Sequence, residues 1–218
     1  MTEVTAEISG NHNGSLENAL RLIRAAKEAG ADSVKFQCFD PGRLARKRAK
    51  NPRVVALAKN FHGCASLFDL YVRTHTPLQW FPALIHCAGE VGIPWFSSVF
   101  HPDDVDFLET LNCPRYKISA FEMLDGDLIN AVVATGKPIV MSVRPMAGLT
   151  ILRATEYDDQ EDGALGVSDH SGNMRFISYR CPMVERHIRL LGVPSPDDSF
   201  SSTPEEFAKY VAKIRSLK

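Results

Sequence analysis

The sequence predicts an α/β fold, a compact (β/α)8 TIM barrel forming a single domain over residues 1–218, and three observations predict it. The first is a complete strand, helix and strand unit within residues 6–37. The second is a series of eight short apolar runs, most of them separated by segments with helical spacing. The third is size, because 218 residues with 44% hydrophobic content can bury one barrel core.

The N-terminal unit has clear boundaries. A first strand is predicted over residues 4–8, and the turn signal Ser-Gly-Asn-His-Asn-Gly follows it. Ser15 is the predicted N-cap of a helix that ends at Gly30, and a second strand occupies residues 33–37. A crossover of this length predicts a right-handed parallel pair of strands, whose C-terminal loops lie on the same side.

The middle of the chain continues the alternation. Pro77 and Gly92 bracket one of the predicted helices as its first-turn and C-terminal signals. Helices are predicted over residues 65–75, 77–91 and 103–111, and strands over residues 94–98, around Lys117, and over residues 138–142.

The pattern changes after the fifth strand. Six residues separate Ser142 from the next apolar run at residues 149–154, which is too short for a helical crossover. We expect a parallel sixth strand without a covering helix, and several outer helices shortened or missing after strands 5 to 7. The exposed strand faces around Ile151, Leu165 and Val167 would form an apolar patch, so we expect a homodimer. A capping box at Thr203 opens the last helix.

Composition excludes several classes of function. The formal net charge of −1 provides no overall field for nucleic acid or a membrane surface, and we expect neither as a partner. No apolar stretch approaches the roughly 20 residues of a spanning helix, and no signal peptide is recognisable. The five cysteines are odd in number and contain no CxxC pair, which favours a reduced, cytoplasmic setting.

A basic run at residues 43–53 follows the second strand. The simpler interpretation is a solvated face on a loop or short helix. The alternative is that the run lies at the substrate-binding face of the barrel and attracts an anion.

Two lysines stand inside apolar strands. Lys35 and Lys117 are flanked by residues that a barrel buries, and a buried ammonium group requires an anionic partner. The occurrence of two such lysines indicates that a ligand with more than one negative charge binds in the barrel mouth. Two histidines, His170 and His187, stand at the ends of late strands, each beside a charged residue, and they are candidate ligands of a catalytic divalent metal.

Several motifs carry a resemblance to a known family. They are AE-I-x-x-NHNG, then AAKEAGAD-x-VKFQ, and later SDHS, ERH, SPD and TPEEF, and they extend from Val4 to Lys213. The chain resembles the catalytic barrel of the N-acetylneuraminate (sialic acid) synthase family. That resemblance implies condensation of phosphoenolpyruvate with an N-acetylated hexose, similar to N-acetylmannosamine, to give a nonulosonic acid and phosphate. It also implies a divalent metal, manganese first, with magnesium and cobalt as alternatives.

The resemblance assigns roles by position. It makes Glu7, Glu122 and Lys117 the catalytic candidates and His170 and His187 the metal ligands. Substrate contacts are expected from Lys35, Gln37, Ser98, Ser142, Tyr157, Ser168 and Asp197.

The chain also departs from the family pattern. KISAFE exchanges Ser119 and Ala120 relative to KIASFE, and Val143-Arg144 replaces a small turn. The resemblance covers the barrel alone, without the antifreeze-like C-terminal domain of the family. Two alternatives therefore stay open beside the synthase: a related 3-deoxy sugar acid synthase acting on another aldose, and a degenerate, non-catalytic barrel serving as a binding or assembly subunit. A third is a purely structural polar network.

Overall fold

Eight strands close into a barrel in the order in which they occur along the chain. The structure, a computed structural model, describes residues 1–50, 64–146, 149–154, 166–172, 174, 177 and 181–217, with the backbone alone for 143–146 and 149–154. The strands are β1 (Glu3–Glu7), β2 (Ser33–Cys38), β3 (Trp95–Val99), β4 (Tyr116–Ile118), β5 (Ile139–Met146), β6 (Leu149–Ala154), β7 (Gly166–Asp169) and β8 (Met183–His187).

Seven α-helices lie within the described residues. They are α1 (Leu16–Glu28), α2 (Pro41–Arg48), α3 (Leu67–Thr74), α4 (Phe81–Val91), α5 (Pro102–Glu109), α6 (Gly126–Ala134) and α7 (Pro204–Arg215). The helix expected to begin at Pro77 begins instead at Phe81, after a 3-10 turn over Leu78–Trp80. It ends as predicted, because Gly92 adopts the left-handed conformation with φ of 65°.

The first helix shows how the sequence determines a barrel unit. The Ser15 hydroxyl accepts a hydrogen bond from the backbone N–H of Asn18 at 3.3 Å, which confirms the predicted N-cap. Leu22 and Ile23 are fully buried on the inner face of α1. The helix packs on α4 and α7, so the predicted apolar stripe becomes part of the main core.

The sixth strand runs opposite to the prediction. β6 pairs antiparallel with both β5 and β7, whereas the neighbouring pairs around the rest of the barrel are parallel. β5 ends at Met146 and β6 begins at Leu149, and a connection of hairpin length joins antiparallel strands directly. The expectation of a parallel sixth strand was therefore wrong. No α-helix occurs in the described stretches between β5 and β8, in agreement with the predicted loss of outer helices.

Of the three side chains in the predicted apolar patch, the structure describes Val167. Val167 is 7% exposed and belongs to the core of the single chain, so it does not contribute to an exposed surface. The Ile151 side chain and Leu165 lie outside the described residues. All five cysteines fall within the described part, and none of them forms a disulfide. Among the described helices, none has the length and apolar character needed to cross a membrane.

The barrel interior is apolar at one end and charged at the other. Phe96, Val140 and Met183 form a small buried cluster at the end where the strands begin. Below it, the Arg115 guanidinium lies 4.1 Å from the centroid of the Phe96 ring and bonds to Glu3. These side chains fill the barrel at the end where the strands begin. The described residues therefore leave the opposite end, at the carboxyl ends of the strands, for a ligand to enter.

Asp104 in the first turn of α5 couples fold stability to pH. Its carboxylate is buried and accepts a hydrogen bond from the Phe100 N–H at 3.0 Å, and burial raises its pKa to about 6 from an ordinary 3.8. The folded state thus holds this proton more tightly than the unfolded state. The stability from this group is full below about pH 4 and is lost as the pH rises towards 6.

We expect Asp104→Asn to remove this dependence. Between pH 4 and pH 7 the unfolding free energy of the variant should improve relative to the unmodified protein by up to about 3 kcal/mol, because one pKa unit corresponds to about 1.4 kcal/mol. Urea unfolding at a series of pH values measures the difference. An unchanged difference between the two proteins across this range would contradict the assignment.

Candidate active site

A cavity of about 260 Å³ opens at the carboxyl ends of the barrel strands. Most of the side chains predicted as site residues line it, together with residues from the loops after β2, β3 and β4. The lining residues predicted from sequence are Glu7, Lys35, Gln37, Ser98, Lys117, Ser142, Ser168, His170 and His187. Seven strands contribute them, so residues far apart in sequence converge as the barrel order requires.

Four charged side chains form the floor of this cavity. Lys35 Nζ contacts a Glu7 carboxylate oxygen, and it lies 3.2 Å from Glu185 Oε2. Lys117 Nζ lies 3.2 Å from the same Glu185 oxygen. All four are at most 4% exposed, so each lysine has the anionic partner that a buried ammonium group needs.

The environment changes the pKa values of these groups in opposite directions. Burial lowers the pKa of Lys117 to about 8, against the opposing effect of Glu185. Burial alone would also lower the pKa of Lys35, but Glu185 and Glu7 together outweigh burial and raise it. For Glu7, burial raises the pKa and Lys35 offsets part of the rise. Neighbouring groups with displaced pKa values in one cleft are typical of a catalytic site.

Glu185 is a site residue that the sequence interpretation missed. It accepts hydrogen bonds from Lys117 and from the Ser168 hydroxyl, the latter at 3.0 Å, and the two lysines lower its pKa despite burial. The signal was present in the sequence, since Glu185 stands two residues before His187 in the same short strand. Alternate residues of a strand share a face, so both side chains enter the barrel.

Polar side chains surround the charged floor. Lys35 Nζ donates to the Ser98 hydroxyl at 3.0 Å, and Ser142 lies at the edge of the cavity with 4% exposure. Gln37 donates to the Ser9 hydroxyl at 3.2 Å and to Glu7 at 3.4 Å. These hydroxyl and amide groups can therefore complete the coordination of an anion that the lysines attract.

The two predicted metal ligands lie together at one side of the mouth. The ring centroids of His170 and His187 are 5.2 Å apart, and the Phe200 ring packs against both. His187 Nδ1 lies 3.1 Å from Asp197 Oδ2, an arrangement that fixes the ring orientation. Burial lowers the pKa of His170 to about 4, so this imidazole is neutral near pH 7, the form that ligates metals.

These donors fit a divalent ion held by two imidazoles with open positions for other ligands. The described residues contain no group of three or more histidine, cysteine, aspartate or glutamate side chains arranged around a common metal position. Among the described residues, His170 and His187 would be the two protein ligands, with the other positions open to water or substrate.

Glu122, a predicted catalytic residue, is not among the residues that line the cavity. Its carboxylate is 1% exposed and accepts from Arg48, with Nη2 at 2.7 Å and 2.8 Å and Nε at 3.2 Å, and from the Ser119 hydroxyl. Ser119 and Ala120, the exchanged pair, both line the cavity. The basic run thus begins at the end of the barrel where the cavity opens, and three of its described cations, Arg43, Lys47 and Arg48, pair with carboxylates there.

Asp197 faces a second cavity of about 150 Å³ that adjoins the first at Gln37, Arg48 and Phe100. Aromatic and aliphatic side chains supply much of its wall, including Tyr71 of α3. Tyr157 lies outside the described residues, as do the side chains at positions 143 and 144.

Comparison with known proteins agrees with this site. A sequence model of the NeuB family matches residues 22–149, which is more than half of the chain. The chain belongs to the NeuB family. The matched segment contains the strands that carry Lys35, Ser98, Lys117 and Ser142, so the membership rests on the part of the barrel that holds the lysines.

Several proteins that resemble this chain are named as sugar acid synthases. A pseudaminic acid synthase from Helicobacter pylori is 37% identical over 64% of this chain and 41% of its own length. The N-acetylneuraminate-9-phosphate synthase of Mus musculus is 30% identical over 97% of this chain and 69% of its own length. The chain thus spans only part of each relative. A sialic acid synthetase structure from Leptospira borgpetersenii aligns with a TM-score of 0.75 at 18% identity, covering 98% of this chain and 82% of that one, which supports the fold.

Glu185 should be essential to the stability of this NeuB-family barrel. Glu185→Met removes the carboxylate that Lys117 contacts and leaves a buried ammonium group uncompensated. We expect the unfolding free energy in urea at pH 7 to fall by about 3–5 kcal/mol.

Glu28→Met, at an exposed position of α1, is the matched control, and we expect it to change stability by at most about 0.5 kcal/mol. Equal stability of the two variants would show that Glu185 does not compensate the lysine.

Proposed function

We propose that this barrel condenses phosphoenolpyruvate with an N-acetylated hexose to form a nonulosonic acid and phosphate. The observation that supports the proposal best is the pair of buried lysines beside hydroxyl groups and two histidines in one cavity. Phosphoenolpyruvate has a phosphate and a carboxylate, and a site with two ammonium groups at fixed positions can orient both. The two relatives described above are named as synthases of sugar acids, the same class of product.

In the proposed reaction, C3 of phosphoenolpyruvate forms a bond with the aldehyde carbon of the open-chain sugar. Water then adds at C2, and the bond between C2 and the phosphate oxygen breaks. Lys35 and Lys117 neutralise the donor and the departing phosphate, while Ser98, Ser142 and Ser168 hold its oxygens. A divalent ion at His170 and His187 would polarise the aldehyde.

We assign to Glu7 the role of accepting the proton that water loses when it adds at C2. Burial raises the pKa of its carboxyl group, and Gln37 and the Ser9 N–H fix the carboxylate at the wall of the cavity. Glu122 is committed to Arg48 and Ser119, which makes it the weaker candidate for this role. Asp197 lies between His187 and the second cavity, where it could orient the sugar.

The first test is calorimetric titration with phosphoenolpyruvate. We expect the unmodified protein to bind it and Lys117→Ala to weaken binding at least about tenfold, because one charge-assisted contact is lost. Lys209→Ala, at an exposed lysine of α7, is the charge-matched control and should bind like the unmodified protein.

A protein that binds phosphoenolpyruvate justifies a screen of N-acetylated hexoses for phosphate release. Failure of the unmodified protein to bind phosphoenolpyruvate would contradict the enzyme proposal. That result would favour a non-catalytic barrel that acts as a binding or assembly subunit and pairs with a second copy of itself in a homodimer.

The second test concerns the metal. We expect Mn²⁺ to bind the unmodified protein and the double variant His170→Gln with His187→Gln to bind at least about tenfold more weakly, because both protein ligands are lost. His86→Gln changes an exposed histidine of α4 and should leave Mn²⁺ affinity unchanged. Equal affinity of the double variant and this control would place the metal elsewhere.

A further inference from the structure

The floor of the main cavity has no excess positive charge. Lys35 and Lys117 face Glu7 and Glu185, so the four formal charges cancel. Phosphoenolpyruvate contains a carboxylate and a phosphate and has at least two negative charges near neutrality. A cationic hydrogen-bond donor beside this floor would strengthen the binding of such a ligand, in addition to a divalent ion at His170 and His187.

Arg48 is the arginine that lines this cavity within the described part of the chain. It stands in the last turn of α2 and extends over the barrel mouth towards the loop after β4. Its side chain retains 14% exposure, so the guanidinium is close to the cavity and mostly desolvated. An arginine in this setting forms stronger hydrogen bonds with oxyanions than it would in water.

The guanidinium is fixed in orientation before any ligand binds. The Glu122 carboxylate accepts hydrogen bonds from Nε and Nη2 of Arg48. The ring centroids of Phe121 and Phe100 lie 4.7 Å and 5.4 Å from its central carbon. Arg48 is also near Tyr71, since it partly offsets the rise that burial causes in the pKa of this phenol. A guanidinium has five N–H donors, so these contacts leave capacity for a ligand while they determine the direction of the group.

The helix that carries Arg48 is itself fixed. Asp40 caps α2 by accepting from the Arg43 N–H at 2.7 Å. Lys47 Nζ donates to the Phe100 carbonyl at 2.8 Å and pairs with Asp125, and Arg43 bonds to His101. These contacts join α2 to the loops after β3 and β4. The position of Arg48 over the cavity therefore does not depend on a flexible backbone.

We propose that Arg48, held by Glu122, is a third cation that binds an oxyanion group of the donor substrate. This inference rests on the proposed function and deepens it, because it adds a binding residue to the donor site. It also explains why Glu122 is buried, since the carboxylate orients an arginine that must remain in place when the ligand leaves.

The test compares the loss of Arg48 with the loss of another arginine of α2. Arg48→Met combined with Glu122→Gln removes the cation without leaving a buried carboxylate unpaired. Arg46→Met removes the same type of side chain from an exposed position of α2 and is the matched control. Circular dichroism verifies that both variants are folded, and calorimetry with phosphoenolpyruvate, inorganic phosphate and pyruvate measures binding.

We expect the Arg48 double variant to bind phosphoenolpyruvate about 10- to 100-fold more weakly, and Arg46→Met to remain within about twofold of the unmodified protein. A loss restricted to inorganic phosphate would assign Arg48 to the phosphate, and a loss restricted to pyruvate would assign it to the carboxylate. Both results support the proposal.

Affinities of the double variant within about twofold of the unmodified protein for all three ligands would overturn it. If the double variant binds normally while Lys117→Ala binds phosphoenolpyruvate more weakly in the same experiment, only the inference about Arg48 fails. If the unmodified protein binds none of the three ligands, the proposed function fails and this inference fails with it.

Discussion

The contact of two lysines with one carboxylate at the centre of the barrel is the constraint on which the site depends. Lys35 and Lys117 lie on β2 and β4, and Glu185 reaches both from β8. Glu185 is the carboxylate that both ammonium groups contact, so its loss would leave Lys117 buried without the charge that compensates it, whereas Lys35 would keep Glu7. The closure of β8 against β1 is therefore required for electrostatic reasons as well as for packing.

The irregular part of the barrel is its sixth strand. β6 is antiparallel to both neighbours, whereas the other neighbouring pairs are parallel, and its side chains lie outside the described residues. The lining side chains come from the seven strands that run parallel to one another and from the loops at their carboxyl ends. A connection of hairpin length joins β5 to β6, and Ser142 and Ser168 reach the cavity from β5 and β7, the two neighbours of β6.

Local signals in the sequence were sufficient for much of this architecture. Caps, stops and apolar spacing predicted the first unit, and the charge inside apolar strands predicted that Lys35 and Lys117 meet an anion. The direction of β6 was not predictable in this way, because strand pairing is decided by partners distant in sequence. Glu185 was overlooked because its importance lies in contacts with two other strands, although its alternation with His187 indicated an inward direction.

The basic run shows why neither of its two interpretations was complete. Arg46, Lys47 and Arg48 occupy the last turn of α2, where cations interact favourably with the negative end of the helix dipole. This helix follows β2 directly, so its last turn lies above the barrel mouth and close to the loop that contains Glu122. A residue pattern that stabilises a helix end therefore also delivers a cation to the cavity. The two arginines of this turn differ in their contacts. Glu122 holds Arg48 in the wall of the cavity, whereas Arg46 remains on the exposed surface.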